Sequence, residues 1–123
     1  MNQKIFITGG SGLLALNWAI SMRDRIDVIL NMNNRDINLR GSVEIKINLN
    51  SISSIVNFLE SDKPNYVIHA AGMTNVEECE KNPDLAHKVN VGLTDNVARA
   101  CKDMKIPLIH ISSDHLFDGK SSL

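Results

Sequence analysis

The stretch "TGGSGLLA", residues 8–15, constrains this chain more than any other. It follows a short β-type run, "KIFIT" (Lys4 to Thr8), and opens a pattern that reads as a helix over residues 12–23, with Leu13, Leu16 and Ile20 on one stripe. Gly9, Gly10 and Gly12 permit a tight turn and let the backbone come close to a bound group, while Ala15 is small enough for a helix to sit hard against a sheet. The free amides at the start of such a helix, with the positive end of its dipole, form a receptor for a diphosphate. Glycines also end strands for purely structural reasons. The order strand, glycine loop, helix near the first residue favours the nucleotide-binding reading.

The remaining residues repeat the alternation. "IDVIL" (Ile26 to Leu30) reads as a second strand, and "VEIKINL" (Val43 to Leu49) alternates apolar and polar residues as a strand nearer an edge does. "SISSIVNFLE" begins with a Ser cap and places Ile52, Ile55, Val56 and Leu59 at helical spacing. "YVIHAAG" (Tyr66 to Gly72) is a buried strand running into small residues, and "EECEK" (Glu77 to Lys81) reads as an exposed turn. A single helix then runs to Met104, capped by Asn82, with Pro83 at its first position and Asp84 in its first turn. "IPLIHIS" is the fifth strand. Only the polar "NMNNRDINLRGS" breaks the rhythm, and an irregular crossing is expected there.

Such alternation implies an α/β fold, a parallel sheet with helices on both faces and right-handed crossovers. The expected architecture is a Rossmann-like doubly wound parallel sheet in the order 3-2-1-4-5, with the site at the carboxyl ends of strands one and four. A 2-1-3-4-5 order is the alternative, and the position of "VEIKINL" decides between them.

At 123 residues there is room for one domain, and a net charge of −1 with scattered basic residues gives no footprint for nucleic acid or an acidic membrane. No apolar run approaches the roughly 20 residues of a membrane-spanning helix, and the first residues lack the pattern of a signal peptide. Cys79 and Cys101 are too far apart for a metal motif and form no disulfide framework, which fits a reducing cytoplasm. No carboxylate pair or His/Cys/Asp cluster has a spacing that suggests hydrolytic or metal chemistry.

Four ordered segments, "TGGSGLLA", "HAAG", "NVGLTDNVARAC" and "HISSDHLFDG", together resemble the extended short-chain dehydrogenases/reductases. "VIHAAGMTNVEECEKNPDLAHKVN" is most similar to the branch that reduces nucleotide-linked 4-keto sugars, the dTDP-4-dehydrorhamnose reductases. The resemblance implies an NADP- or NAD-dependent oxidoreductase with a nucleotide-sugar substrate, in surface-polysaccharide synthesis. It places Gly9, Ser11, Gly12, Leu13 and Leu14 on the pyrophosphate loop, and Asn48 and Leu49 against the adenine. Ala70, Ala71 and Gly72 become the small residues on which the cofactor lies, and Asn90 the helix asparagine that supports the site. Ser113 becomes the catalytic hydroxyl that bonds the reacting oxygen of the substrate. Sugar epimerases and dehydratases of the same superfamily remain alternatives. So does a non-catalytic NAD(P)-binding module resembling the regulatory subunit of methionine adenosyltransferase.

Two departures stand out. The acidic residue that commonly follows the second strand and accepts the ribose hydroxyls is Asn31 here. Without that carboxylate a 2′-phosphate meets no repulsion, and Arg35 stands near enough in sequence to pair with one, which favours NADP. The competing reading makes Arg35 a solvated loop residue. Secondly, the Tyr-x-x-x-Lys pair of the family is missing: the only tyrosine, Tyr66, has no lysine four residues on. Residues 1–123 therefore resemble the N-terminal, NAD(P)-binding part of a longer enzyme, inactive alone, whose substrate segments lie elsewhere. Its fifth strand would be an unprotected edge, open to pairing with another copy.

Other polar residues have two readings each. Ser112 and Ser113 either cap a strand end or serve the site. His115 either exchanges protons or lines the pocket. His69 and His110 are expected in the core, and His87 on a solvated helix face. Asn90 and Gly92 weaken the helix that carries them, a local violation that marks close packing or a site.

Overall fold

A computed structural model describes residues 2–113 and 119–120. Its elements are β1 (Lys4–Thr8), α1 (Leu13–Met22), β2 (Asp27–Asn31), β3 (Ser42–Ile45), α2 (Ile52–Asp62), β4 (Tyr66–His69), α3 (Val76–Lys81), α4 (Pro83–His87), a π-helical turn (Lys88–Gly92), α5 (Leu93–Met104) and β5 (Leu108–His110). The five strands form one sheet in the order β3-β2-β1-β4-β5, every pair parallel. β3 lies outside β2, so the 3-2-1-4-5 order holds and the 2-1-3-4-5 alternative does not.

Side chains of a strand alternate between faces, and the core divides accordingly. Phe6, Ile29 and Val67 point to one face, where Ile55 and Leu59 of α2 and Val97, Ala100 and Cys101 of α5 cover them. Ile5, Ile7, Val28, Leu30 and Ile68 point to the other, where Ala15 and Ala19 of α1 cover them. Here the expected stripe holds only at Leu16, which packs part-buried against this core. Leu13 is 82% and Ile20 51% exposed, while Ala15 and Ala19, one turn apart, are fully buried. Only Asn17 and Ser21 are polar in α1, so its periodicity hardly selects a face. Two methyl groups one above the other let the helix axis come closest to the sheet, and that contact decides.

The crossing from β2 to β3 is irregular, as expected. The Glu44 carboxylate holds it, accepting from the Ile37 and Leu39 amides at 3.2 and 2.9 Å, and Arg23 donates to the Arg40 carbonyl at 2.7 Å. β3 stops at Ile45 rather than Leu49 because a side chain replaces the ladder. Asn31 Oδ1 accepts from Ile47 N at 2.7 Å and its Nδ2 donates to Ile47 O at 3.3 Å.

The long helix expected after Asn82 is broken. α4 gives way to the π turn and then to α5, and Asn82 makes no side-chain cap although Pro83 does open the helix. "EECEK" is not a turn but most of α3. Asn75 caps it, Glu77 and Glu78 sit in its first turn and Lys81 in its last, each matched to the dipole. Tyr66 is 37% exposed because it begins β4, at the end of the strand away from the core centre. His110 is exposed rather than buried, since it ends β5 on the sheet edge. No described helix is long and apolar enough to cross a membrane.

Candidate functional site

β1 ends at Thr8 and the chain must turn at once to enter α1. Gly9 makes that turn with φ +68°, and a Cβ there would lie 2.8 Å from both Ala70 O and Ala71 N. A side chain at Gly10 would lie 2.8 Å from Leu30 Cβ and Met32 Sδ, and its amide donates to Asn31 O at 2.9 Å. The loop is thus pressed between the carboxyl ends of β2 and β4, where only hydrogen atoms fit. Gly12 then begins α1 with no side-chain cap and no acidic residue in the first turn. The first-turn amides that a helix cannot satisfy internally are left for something else.

The loop that leads into this helix start borders a cleft of about 440 Å³. Gly9, Ser11 and Gly12 form one side, Asn31, Asn48 and Leu49 another, and Ala70, Ala71 and Gly72 the floor. Nine of the thirteen expected cofactor residues thus meet in the cleft, Asn31 among them, and Leu13, Leu14, Arg35 and Asn90 do not line it. Leu13 and Leu14 turn their side chains outward, 82% and 41% exposed, and offer only backbone. Arg35 lies exposed on the β2–β3 crossing, outside the residues that line the cleft. The Asn31 side chain reaches the cleft wall already engaged with both backbone groups of Ile47. Sequence reasoning missed Met32, Asn33, Lys88 and Val89 on the lining. Asn33 follows the end of β2 and was open to discovery on that ground. Lys88 comes in through the π turn, which no spacing announces.

A second cleft, of about 860 Å³, shares Ala70, Ala71 and Gly72 with the first. Met73, Thr74, Cys79, His110, Ser112 and Ser113 also line it. Ser113 therefore stands across the 70–72 loop from the first cleft, while His115 lies outside the described residues. Asn90 belongs to this second cleft: its Oδ1 accepts from Met73 N at 2.7 Å and its Nδ2 donates to Met73 O at 3.0 Å. Asn90 and Gly92, the two residues that weaken a helix, both fall in the π turn, so the local violation does mark the place where the helix departs from α geometry.

His69 is fully buried and bonded through both ring nitrogens, to Thr8 Oγ1 at 2.7 Å and Thr94 Oγ1 at 3.1 Å. Burial first, and the stacked His110 ring second, hold its pKa down to about 4, so it is neutral at pH 7. Burial also pushes the Cys101 thiol up to about 11, which leaves it a packing residue rather than a nucleophile. Cys79 and Cys101 are both free thiols. Among the described residues no His, Cys, Asp and Glu side chains gather as a metal site would require.

The cleft suits a dinucleotide: a glycine cradle that a Cβ would fill, an uncapped helix start for the diphosphate, and a floor of small residues for a flat ring. Known proteins agree with this geometry. Residues 3–122 match the family model described as the RmlD substrate binding domain. A probable low-salt glycan biosynthesis reductase of Haloferax volcanii is 28% identical over 94% of this chain and 39% of its own length. The dTDP-4-dehydrorhamnose reductase of Aggregatibacter actinomycetemcomitans is 31% identical over 97% of this chain and 37% of its own. The methionine adenosyltransferase 2 subunit beta of Rattus norvegicus is 31% identical over 60% of this chain and 22% of its own. The chain thus spans about two fifths of the length of the first of these relatives. Among solved structures, a hypothetical dTDP-4-dehydrorhamnose reductase from Sulfolobus tokodaii superposes with a TM-score of 0.83 at 30% identity, over 97% of this chain and 42% of that one. The dTDP-4-dehydrorhamnose reductase of Bacillus anthracis in complex with NADP gives 0.78 at 25% identity, over 98% and 40%. With glycine loop, strand order and two joined clefts in place, and a family match across nearly every residue, the chain belongs to the RmlD substrate-binding domain family of the extended short-chain dehydrogenases/reductases.

Proposed function

We propose that residues 1–123 are the NAD(P)-binding part of a reductase acting on a nucleotide-linked 4-keto sugar. The open start of α1 after the Gly9 turn carries this reading, because a helix that leaves its first amides without a side-chain cap at the side of a cleft is suited to an anion. The amides of Ser11, Leu13 and Leu14 would hold the diphosphate, beside Gly12, whose own amide donates to Gly9 O at 2.9 Å, and Asn48 and Leu49 would border the adenine. Ala70, Ala71 and Gly72 would let the nicotinamide end lie against backbone and reach the second cleft. Bound there, the nicotinamide would supply a hydride to the carbonyl carbon of the sugar.

Ser113 would donate a hydrogen bond to the carbonyl oxygen and so favour charge developing on it. The proton for the new hydroxyl comes from no tyrosine in this sequence. Tyr66 is the only one, and it stands at the start of β4, while both clefts open at the other ends of the strands. Asn31 carries no charge against a 2′-phosphate, so the cleft accepts NADP as well as NAD, and the preference for NADP stays part of the proposal. Isothermal titration with NADPH and NADH tests it, binding of at least one being required. The absence of heat from both, for folded material, would overturn the reading.

A second reading is a dinucleotide-holding module that serves a partner enzyme. The misplaced Tyr66 favours it, as does the likeness to the methionine adenosyltransferase subunit. Supplying a dTDP-linked 4-keto sugar with NADPH separates the two: NADPH oxidation by the protein carrying these residues supports the reductase, and binding without oxidation supports the module.

A further inference from the structure

The segment from Ala70 to Met73 is the wall between the two clefts, and it is gripped at both ends. At one end Thr8 Oγ1 accepts from the Ala70 and Ala71 amides at 3.1 and 3.2 Å. At the other, Asn90 in the π turn holds both backbone groups of Met73. The two grips are joined through the core. Two amides fill the two lone pairs of Thr8, so its hydroxyl hydrogen goes to His69 Nδ1. Nδ1 is then bare and Nε2 bears the hydrogen, which it donates to Thr94 Oγ1. Thr94 in turn donates to the carbonyl of Asn90 at 2.8 Å. Every hydrogen is assigned by the bond before it, and only one direction satisfies all members.

We propose that Thr8, His69 and Thr94 form a directional hydrogen-bond relay whose role is to position the wall between the clefts, by tying the Asn90 grip on Met73 to the end of β1. None of the three needs to touch a ligand; each is a positioning residue. The relay fixes the distance between the place for a dinucleotide and the cleft that contains Ser113. Its members are drawn from β1, β4 and α5, so a change in any one is felt at Met73, which none of them contacts through the bonds above.

Amide hydrogen exchange on the whole chain without ligand tests this, with Thr94→Val and Thr94→Ser. Valine keeps the shape of threonine but can neither accept from His69 nor donate to Asn90. In Thr94→Val the Met73 amide should exchange roughly fivefold to tenfold faster, the loss of about one hydrogen bond, while the amides of β2 keep their rates. Thr94→Ser restores the hydroxyl and should return the Met73 rate to within about twofold of the parent. An unchanged Met73 rate in Thr94→Val overturns the relay, and so does acceleration shared equally by β2, which would mean general destabilisation. Nitrogen NMR of the His69 ring in the parent gives an independent reading. A protonated Nε2 is required, and a hydrogen on Nδ1 would refute the direction. Both measurements are made without a dinucleotide, so a chain that binds none would sink the proposed function and leave the relay standing.

Discussion

α1 and α2 begin in opposite ways. α2 starts at Ser51, whose hydroxyl accepts from the Ser54 amide at 3.2 Å, so part of its exposed end is satisfied from within. α1 starts at Gly12, where no side chain does this. A cap stabilises a helix by about 1 kcal/mol, and α1 forgoes it while lying against the sheet through two alanines. The helix that is better closed is the one further from the glycine loop. Unsatisfied amides are a stability cost that a ligand can offset, and at α1 that cost lies beside the glycine loop.

Substitutions at the two starts should pull this contrast apart. The largest effect is expected from Gly9→Val. Its φ of +68° and the 2.8 Å approach of Ala70 and Ala71 leave no room, so dinucleotide binding should be abolished in titration calorimetry and the melting temperature should fall sharply.

Next comes pH. His69 is held at about 4 in the fold against an ordinary 6.5, so between these values the unfolded chain takes up the proton more readily. The contribution is complete above pH 6.5 and is lost progressively as pH falls toward 4, an effect of the order of 2–3 kcal/mol. Neither Gly12 nor Ser51 ionises there, so urea unfolding from pH 7 to 4 follows this contribution while both helix starts stay unchanged. A flat stability across that window would contradict it.

Gly12→Asp should make α1 resemble α2. Its φ of −75° suits any residue, and the carboxylate would cap the helix and repel a diphosphate. Affinity for NADPH should fall about tenfold or more while stability rises by up to about 1 kcal/mol, less what the 3.1 Å approach to Gly9 O takes back. Ser51→Ala is the mirror experiment and the smallest: a loss of about 1 kcal/mol in denaturant unfolding, with dinucleotide affinity within about threefold. If Ser51→Ala weakened binding as much as Gly12→Asp, the distinction between the two starts would be wrong.

What was legible in the sequence followed from short-range rules. The strands are apolar runs with period-two sides, the glycine loop sits between a strand and a helix, and Ser51 and Pro83 open helices as expected. Asn90 was visible as an offence against helix propensity. What stayed hidden depends on contacts between distant residues. The end of β3 is set by an amide sixteen positions earlier. α1 is apolar nearly all round, so only the sheet could choose its Ala15 and Ala19 face. The π turn sits inside an apolar repeat that reads as one helix while adding a residue to the turn, and a charge run such as "EECEK" reads alike as turn or exposed helix until Asn75 is seen to cap it.

The bond pair between Asn31 and Ile47 has a consequence for anyone who would redesign this protein. A carboxylate at position 31 could still receive the Ile47 amide, but its second oxygen would oppose the Ile47 carbonyl 3.3 Å away. The customary exchange for switching a dehydrogenase toward NAD would here pry open the very partition it was meant to decorate, and Asn33, exposed and two residues on, is the safer place to write a new preference.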